Sequence, residues 1–146
     1  MTIDPPVRDW LTRYSPPEWI RAAMRELGTA EKAFAVRNAR AGIAGARRAA
    51  GMALNGVLAV AFREEWGRSY MDHLVALAKD ASAPEAVRTA AKTLLDATPP
   101  AAGTLIVLRT ASFEERVIEA AKDVIAHAFA LVNRYAKAPP PSGEPS

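Results

Sequence analysis

The sequence predicts an all-α protein, a single up-and-down bundle of about five helices. Three observations carry that expectation. Apolar residues recur at three- and four-residue spacing over long stretches. Ser-x-x-Glu start signals stand at Ser15, Ser82 and Ser112. The isolated apolar run Leu105-Ile106-Val107-Leu108 finds no partner strand elsewhere.

Asp4-Pro5-Pro6 followed by Val7 to Tyr14 reads as a short leading helix, with Asp4 as cap and Pro5 in its first turn. Ser15-Pro16-Pro17-Glu18 is a capping box that opens the clearest amphipathic helix. Its inward stripe is Trp19, Ile20, Ala23, Met24, Leu27, Ala30 and Phe34, and Arg21, Arg25, Thr29 and Lys32 face outward. A break near Arg37-Asn38 precedes a second long helix, roughly Ala39 to Glu64, dense in alanine and glycine. Each glycine inside a helix costs about 1 kcal/mol relative to alanine, so close backbone packing must offset the loss. This helix is expected to be the central one.

Trp66-Gly67 ends it, and a third helix near Ser69 to Asp80 is expected to bury Tyr70, Leu74, Leu77 and Ala78. Ser82-Ala83-Pro84-Glu85 opens a fourth, which Thr98-Pro99-Pro100 stops. Residues 101–111 read as an irregular segment over the bundle. Ser112 then caps a last helix of about Phe113 to Lys137, with Val117, Ala121, Val124, Ile125, Ala128, Leu131, Val132 and Tyr135 inward. The bundle domain is thus 1–137. Residues 138–146, rich in proline, form a tail whose composition cannot build a core.

Hydrophobic residues make up 50 % of the 146, enough for one core. The absence of cysteine excludes disulfides and thiolate metal sites and points to a cytoplasmic protein. No signal peptide or membrane span is legible. Basic charge is concentrated early: residues 1–48 hold nine Lys or Arg against five Asp or Glu, and the remainder hold ten against eleven.

Three stretches resemble the HEPN family, the higher eukaryotes and prokaryotes nucleotide-binding domain. Pro17-Glu18-Trp19-Ile20-Arg21-Ala22-Ala23 with Leu27 and Ala30 is similar to that family's opening pattern. Arg48-Ala49-Ala50-Gly51-Met52-Ala53-Leu54-Asn55-Gly56-Val57-Leu58 is similar to its Ala-rich central helix. Asp72-His73-Leu74-Val75-Ala76-Leu77 stands where members carry a His near a Leu pair. The likeness covers roughly Pro16 to Leu77. Gly51, Met52 and Asn55 occupy positions where many members have Glu and Lys, so a role resting on those charges is absent. The resemblance implies a homodimeric helical bundle that binds nucleotide or RNA, or that partners a nucleotidyltransferase or antitoxin in a toxin–antitoxin or defence module. It also implies a second possibility, a metal-independent endoribonuclease, because Arg68-Ser69-Tyr70-Met71-Asp72-His73 matches the family's Arg-x4-His spacing. A third reading is a non-catalytic interaction module.

In such a nuclease a His takes the 2′-hydroxyl proton or protonates the leaving oxygen, and an Arg holds the scissile phosphate. On one helix, Arg68 and His73 would stand about 140° apart. Their pairing therefore needs Arg68 to lie before the helix start, or a dimer interface. The alternative is that His73 borders the Tyr70/Leu77 face and bonds to Asp72 or the backbone. Arg37, Arg40, Arg47 and Arg48 fall within about 100° of helical arc and could track a phosphate backbone, or simply form a solvated face. Glu119, Asp123 and His127 step by four along the last helix. That spacing could hold a metal, but they lie on a polar flank among Arg116, Lys122 and Arg134. Neither a metal nor a cofactor is expected.

Overall fold

The computed structural model describes residues 9–99 and 107–137. The tail and most of the 101–111 segment lie outside them. The regular elements of the described chain are all helices: α1 (Pro16–Ala35), α2 (Ala39–Val60), a 3-10 turn (Glu64–Trp66), α3 (Tyr70–Ala78), α4 (Glu85–Asp96) and α5 (Val107–Lys137).

Both signals that start α1 act as their chemistry dictates. The Ser15 hydroxyl accepts from the Glu18 amide at 3.3 Å, and the Glu18 carboxylate accepts from the Ser15 amide at 2.8 Å. The two hydrogen bonds to Ser15 hold the Glu18 carboxyl below its usual pKa. Trp19, Ile20, Ala23, Leu27, Ala30 and Phe34 are buried as the periodicity requires, whereas Met24 is exposed. Arg37, in the left-handed region at φ 64°, makes the reversal into α2, where Asn38 caps the Ala41 amide at 3.1 Å.

α2 is the hub of the bundle and packs on α1, α3, α4 and α5. Its Ala46, Ala49, Ala50, Ala53 and Leu54 are fully buried. The glycines sit where neighbours come closest. A Cβ at Gly42 would stand 2.7 Å from the Phe34 ring, and one at Gly51 would overlap the side chain of Tyr70 on α3. Gly28, by contrast, has nothing within 4 Å of its missing Cβ. The same substitution should therefore have opposite signs at two sites. Gly28→Ala is expected to stabilise by about 1 kcal/mol, the helix-propensity difference. Gly51→Ala is expected to destabilise by about 1–2 kcal/mol, because overpacking of roughly 1–3 kcal/mol exceeds that gain. Urea titrations of the two variants check this, and a higher midpoint for Gly51→Ala would refute close packing there.

Four local expectations differ from the structure. Residues 9–11 of the leading segment form a 3-10 turn rather than an α-helix. α2 stops at Val60, not near Glu64: Ala61 and Arg63 turn extended, and Trp66 is buried at 2 % exposure. That indole's burial is a tertiary gain to which local periodicity is blind. Ser82 does not cap α4; its hydroxyl donates to the Asp80 carboxylate at 2.6 Å, and Pro84 occupies the cap position. α5 begins at Val107, so Ser112 lies inside a helix and accepts from Arg116 at 3.3 Å instead of capping. A Ser-x-x-Glu pattern caps only where the preceding backbone is non-helical, and no Pro or Gly interrupts residues 107–112. The buried stripe of α5 is otherwise as expected from Val117 to Val132, while Tyr135 is exposed.

Candidate functional site

The segment between α2 and α3 sets the site. Arg63 donates to Asp80 at 3.1 Å and to Glu65 at 3.1 Å, and its guanidinium lies 5.0 Å above the Trp66 ring, tying the loop to the end of α3. Burial works against the ionised Asp80 carboxyl, but hydrogen bonds from Ser82 and then from Arg63 hold it below its usual pKa. Gly67, at φ 69°, turns the chain where a side chain would be strained and would meet Asp72. Ser69 then caps α3 in a second capping box with Asp72, accepting from the Asp72 amide at 2.9 Å.

Arg68 and His73 are thereby brought to one ring, the indole of Trp10. The Arg68 guanidinium lies 5.4 Å over it, and the His73 imidazole stacks near-parallel to it at 5.9 Å. Arg68 is exposed. His73 is completely buried, with both ring nitrogens engaged. Nδ1 stands 2.9 Å from the Trp66 carbonyl oxygen, which can only accept, so Nδ1 carries a proton. Nε2 stands 2.7 Å from the Oδ1 position of Asn55, itself 2 % exposed. Burial pushes the His73 pKa down, against the Trp66 bond and the nearby Asp72 carboxylate. The ring is therefore neutral near pH 7. A neutral ring protonated on Nδ1 has a bare Nε2, so the Asn55 amide must turn its NH2 inward to donate. The half-turn that exchanges amide oxygen and nitrogen leaves the other atoms in place.

Beside this pair opens a cleft of about 530 Å³ lined by Trp10, Arg13, Trp19, Asn55, Arg68, Ser69 and Tyr70. Its wall is firm: the Trp19 indole donates to the Leu11 carbonyl at 3.0 Å, and Tyr14 packs edge-on against that indole at 4.8 Å. Trp10 and Tyr70 are half-buried. Burial raises the Tyr70 pKa, while Arg13 and Arg48 act as cations on its phenol and Glu26 as an anion. The amide atom of Asn55 that does not meet His73 has no hydrogen-bond partner among the described residues, yet is not sealed from solvent. It looks into the cleft. The cleft thus combines two exposed cations, aromatic surface, a hydroxyl, the N-terminus of α3 and a buried amide.

The four arginines that could form a phosphate track, or simply a solvated face, are placed in three directions. Arg37 and Arg40 are exposed at the α1–α2 turn. Arg47 reaches across to α4 and donates to the carbonyls of Leu94, Leu95 and Ala97 at 2.7, 3.2 and 2.7 Å. Arg48 turns the other way, pairing with Glu26 of α1 at 2.6 Å. On α5, Glu119 pairs with Lys122 at 3.5 Å, and His127 is half-buried with its pKa lowered mainly by burial. Among the described residues no group of three His, Asp or Glu side chains is placed to hold a metal. A second cleft, between α1 and α5, is lined by Glu31, Glu114, Glu115 and Glu119 against one cation, Lys122, and would disfavour phosphate.

Sequence reasoning passed over Trp10, Arg13, Asn55 and Tyr70 as site residues. Asn55 did leave a signal, as the only amide in the apolar run from Ala49 to Val60. Arg13 and Trp10 left none, since they join the cleft only through the fold. No described helix is long and apolar enough to cross a membrane. No family model, curated protein or solved structure matches this chain.

Proposed function

We propose that this chain is a HEPN-like binding domain whose cleft holds a nucleotide or a single-stranded RNA segment. The observation that carries this reading is the convergence of Arg13, Arg68, Trp10, Tyr70 and the Asn55 amide on one open cavity. Guanidinium groups hold phosphate bidentately, and aromatic faces accept stacked bases with little sequence preference. The N-terminal amides of α3 add a partial positive charge on the same side, although Asp72 in the capping box offsets part of it.

Binding is favoured over cleavage because His73, the base that an Arg-x4-His nuclease would use, has no solvent access and spends both nitrogens on protein partners. A general base must come within hydrogen-bond reach of the proton it removes.

The test is a titration of fluorescent single-stranded RNA and of adenosine 5′-monophosphate, with chelator present. Arg13→Ala and Arg68→Ala are each expected to weaken RNA binding about tenfold and to lower the salt dependence by about one counterion. The RNA is expected to stay intact. Unchanged affinity in both variants removes the cleft as the site, and cleavage abolished by Arg68→Ala supports the nuclease instead.

A further inference from the structure

We infer that Asn55 is the specificity-determining residue of the cleft and that His73 is its positioning residue: His73 turns the amide so that the cleft floor offers a carbonyl oxygen, selecting ligands that present an N–H donor there. This rests on the binding reading above and adds to it the chemistry of the recognised edge.

A chain of obligate partners sets the orientation of the amide. The Trp66 carbonyl can only accept, which fixes the proton on His73 Nδ1. The bare Nε2 then requires a donor, and Asn55 is the group facing it at 2.7 Å. An amide whose NH2 is held inward directs its oxygen outward. That atom meets no protein group among the described residues and lies in the cleft wall. A bound ligand seals that acceptor from water, and an acceptor sealed without a partner is costly. A ligand with an exocyclic amino group satisfies it, and one lacking the group does not. Gly51, one turn before Asn55 on α2, makes room for Tyr70, so the ring and the amide line the cleft side by side.

Protonation reverses the arrangement. An imidazolium donates from both nitrogens, so Asn55 would accept through Oδ1 and turn its NH2 to the cleft. Among the charged groups around His73, Asp72 on α3 favours the extra proton. Burial opposes it, and the cations nearest the site are Arg68, over the Trp10 ring that stacks on His73, and Arg13 across the cleft. Tyr70 meets the imidazole edge-on as a neutral phenol, and α2 contributes only the uncharged Asn55. Burial keeps the neutral form dominant at pH 7.

The experiment compares adenosine 5′-monophosphate with purine riboside 5′-monophosphate, which lacks only the amino group, by calorimetry on the whole chain at pH 7.5 and again on acidification. At pH 7.5 the amino nucleotide should bind about five- to tenfold tighter, the effect of one buried hydrogen bond. The ratio should fall towards one or below as His73 takes up its proton. Asn55→Ala should bring the ratio to one while phosphate-driven binding persists. His73→Gln should shrink the ratio too, whereas a purely structural loss would weaken both nucleotides alike. If neither nucleotide binds, the binding reading itself fails. If both bind with a ratio of one in the unaltered protein, or the ratio ignores pH, the assignment of Asn55 and His73 is overturned and the binding reading stands.

Discussion

His73→Ala is expected to cost about 3–5 kcal/mol of folding stability, the sum of a buried cavity and two broken hydrogen bonds. The imidazole is fully enclosed between α3, the Trp10 ring and α2. Removing it strands the Trp66 carbonyl and one end of the Asn55 amide. Chemical denaturation at pH 7.5 checks the size, and a loss below about 1 kcal/mol would mean that the site collapses around alanine without penalty.

The same residue shapes the acid response. Its folded pKa lies below the reference value of 6.5 because burial disfavours the charged ring. Below pH 6.5 the unfolded chain therefore binds the proton more readily than the folded one, and stability falls as pH drops through that window. His127 shifts in the same direction and adds to the slope. Asp80, whose folded pKa lies below 3.8, contributes stability that is lost only in stronger acid. In His73→Ala the stability change between pH 7 and pH 5 should be distinctly flatter than in the parent protein, with His127 supplying what remains. An equal slope in both would show that His73 titrates alike in the folded and unfolded chains.

Arg47→Ala is expected to destabilise by about 2–4 kcal/mol, with the proposed nucleotide binding unchanged where the variant is still folded. α4 carries no basic residue in its own last turn. Its terminal carbonyls would be left without intrahelical partners. Arg47, from the centre of α2, supplies three donors to that end and a positive charge where the helix dipole is negative. Arg47→Lys should recover less than half, because an ammonium lacks the planar fork that meets three carbonyls at once. Thermal unfolding of both variants reads the difference. If Arg47→Ala instead weakened RNA binding while leaving stability unchanged, Arg47 would belong to a phosphate track after all.

Much of the bundle was legible from local chemistry. The Ser15 capping box, the Arg37-Asn38 break, the buried stripes of α1 and α5, and the small-residue packing face of α2 all depend on residues close in sequence. Helix periodicity and capping are local properties, so the chain carries them openly. The errors fall where a competing contact outweighs a start or stop signal. Burial of Trp66 ends α2 early, and Asp80 draws Ser82 away from capping α4.

The cleft belongs to the second kind. Arg68 and His73 could be picked out by spacing alone, but spacing says nothing of exposure, and only the fold makes one a surface cation and the other a sealed imidazole. Likewise Arg47 and Arg48, adjacent in sequence, diverge to α4 and α1 because consecutive helical residues point about 100° apart. What residues determine singly, the helices and their caps, was written in the sequence. Which side chains share a cavity depends on helices separated by tens of residues coming to rest against α2, and only the tertiary structure decided that.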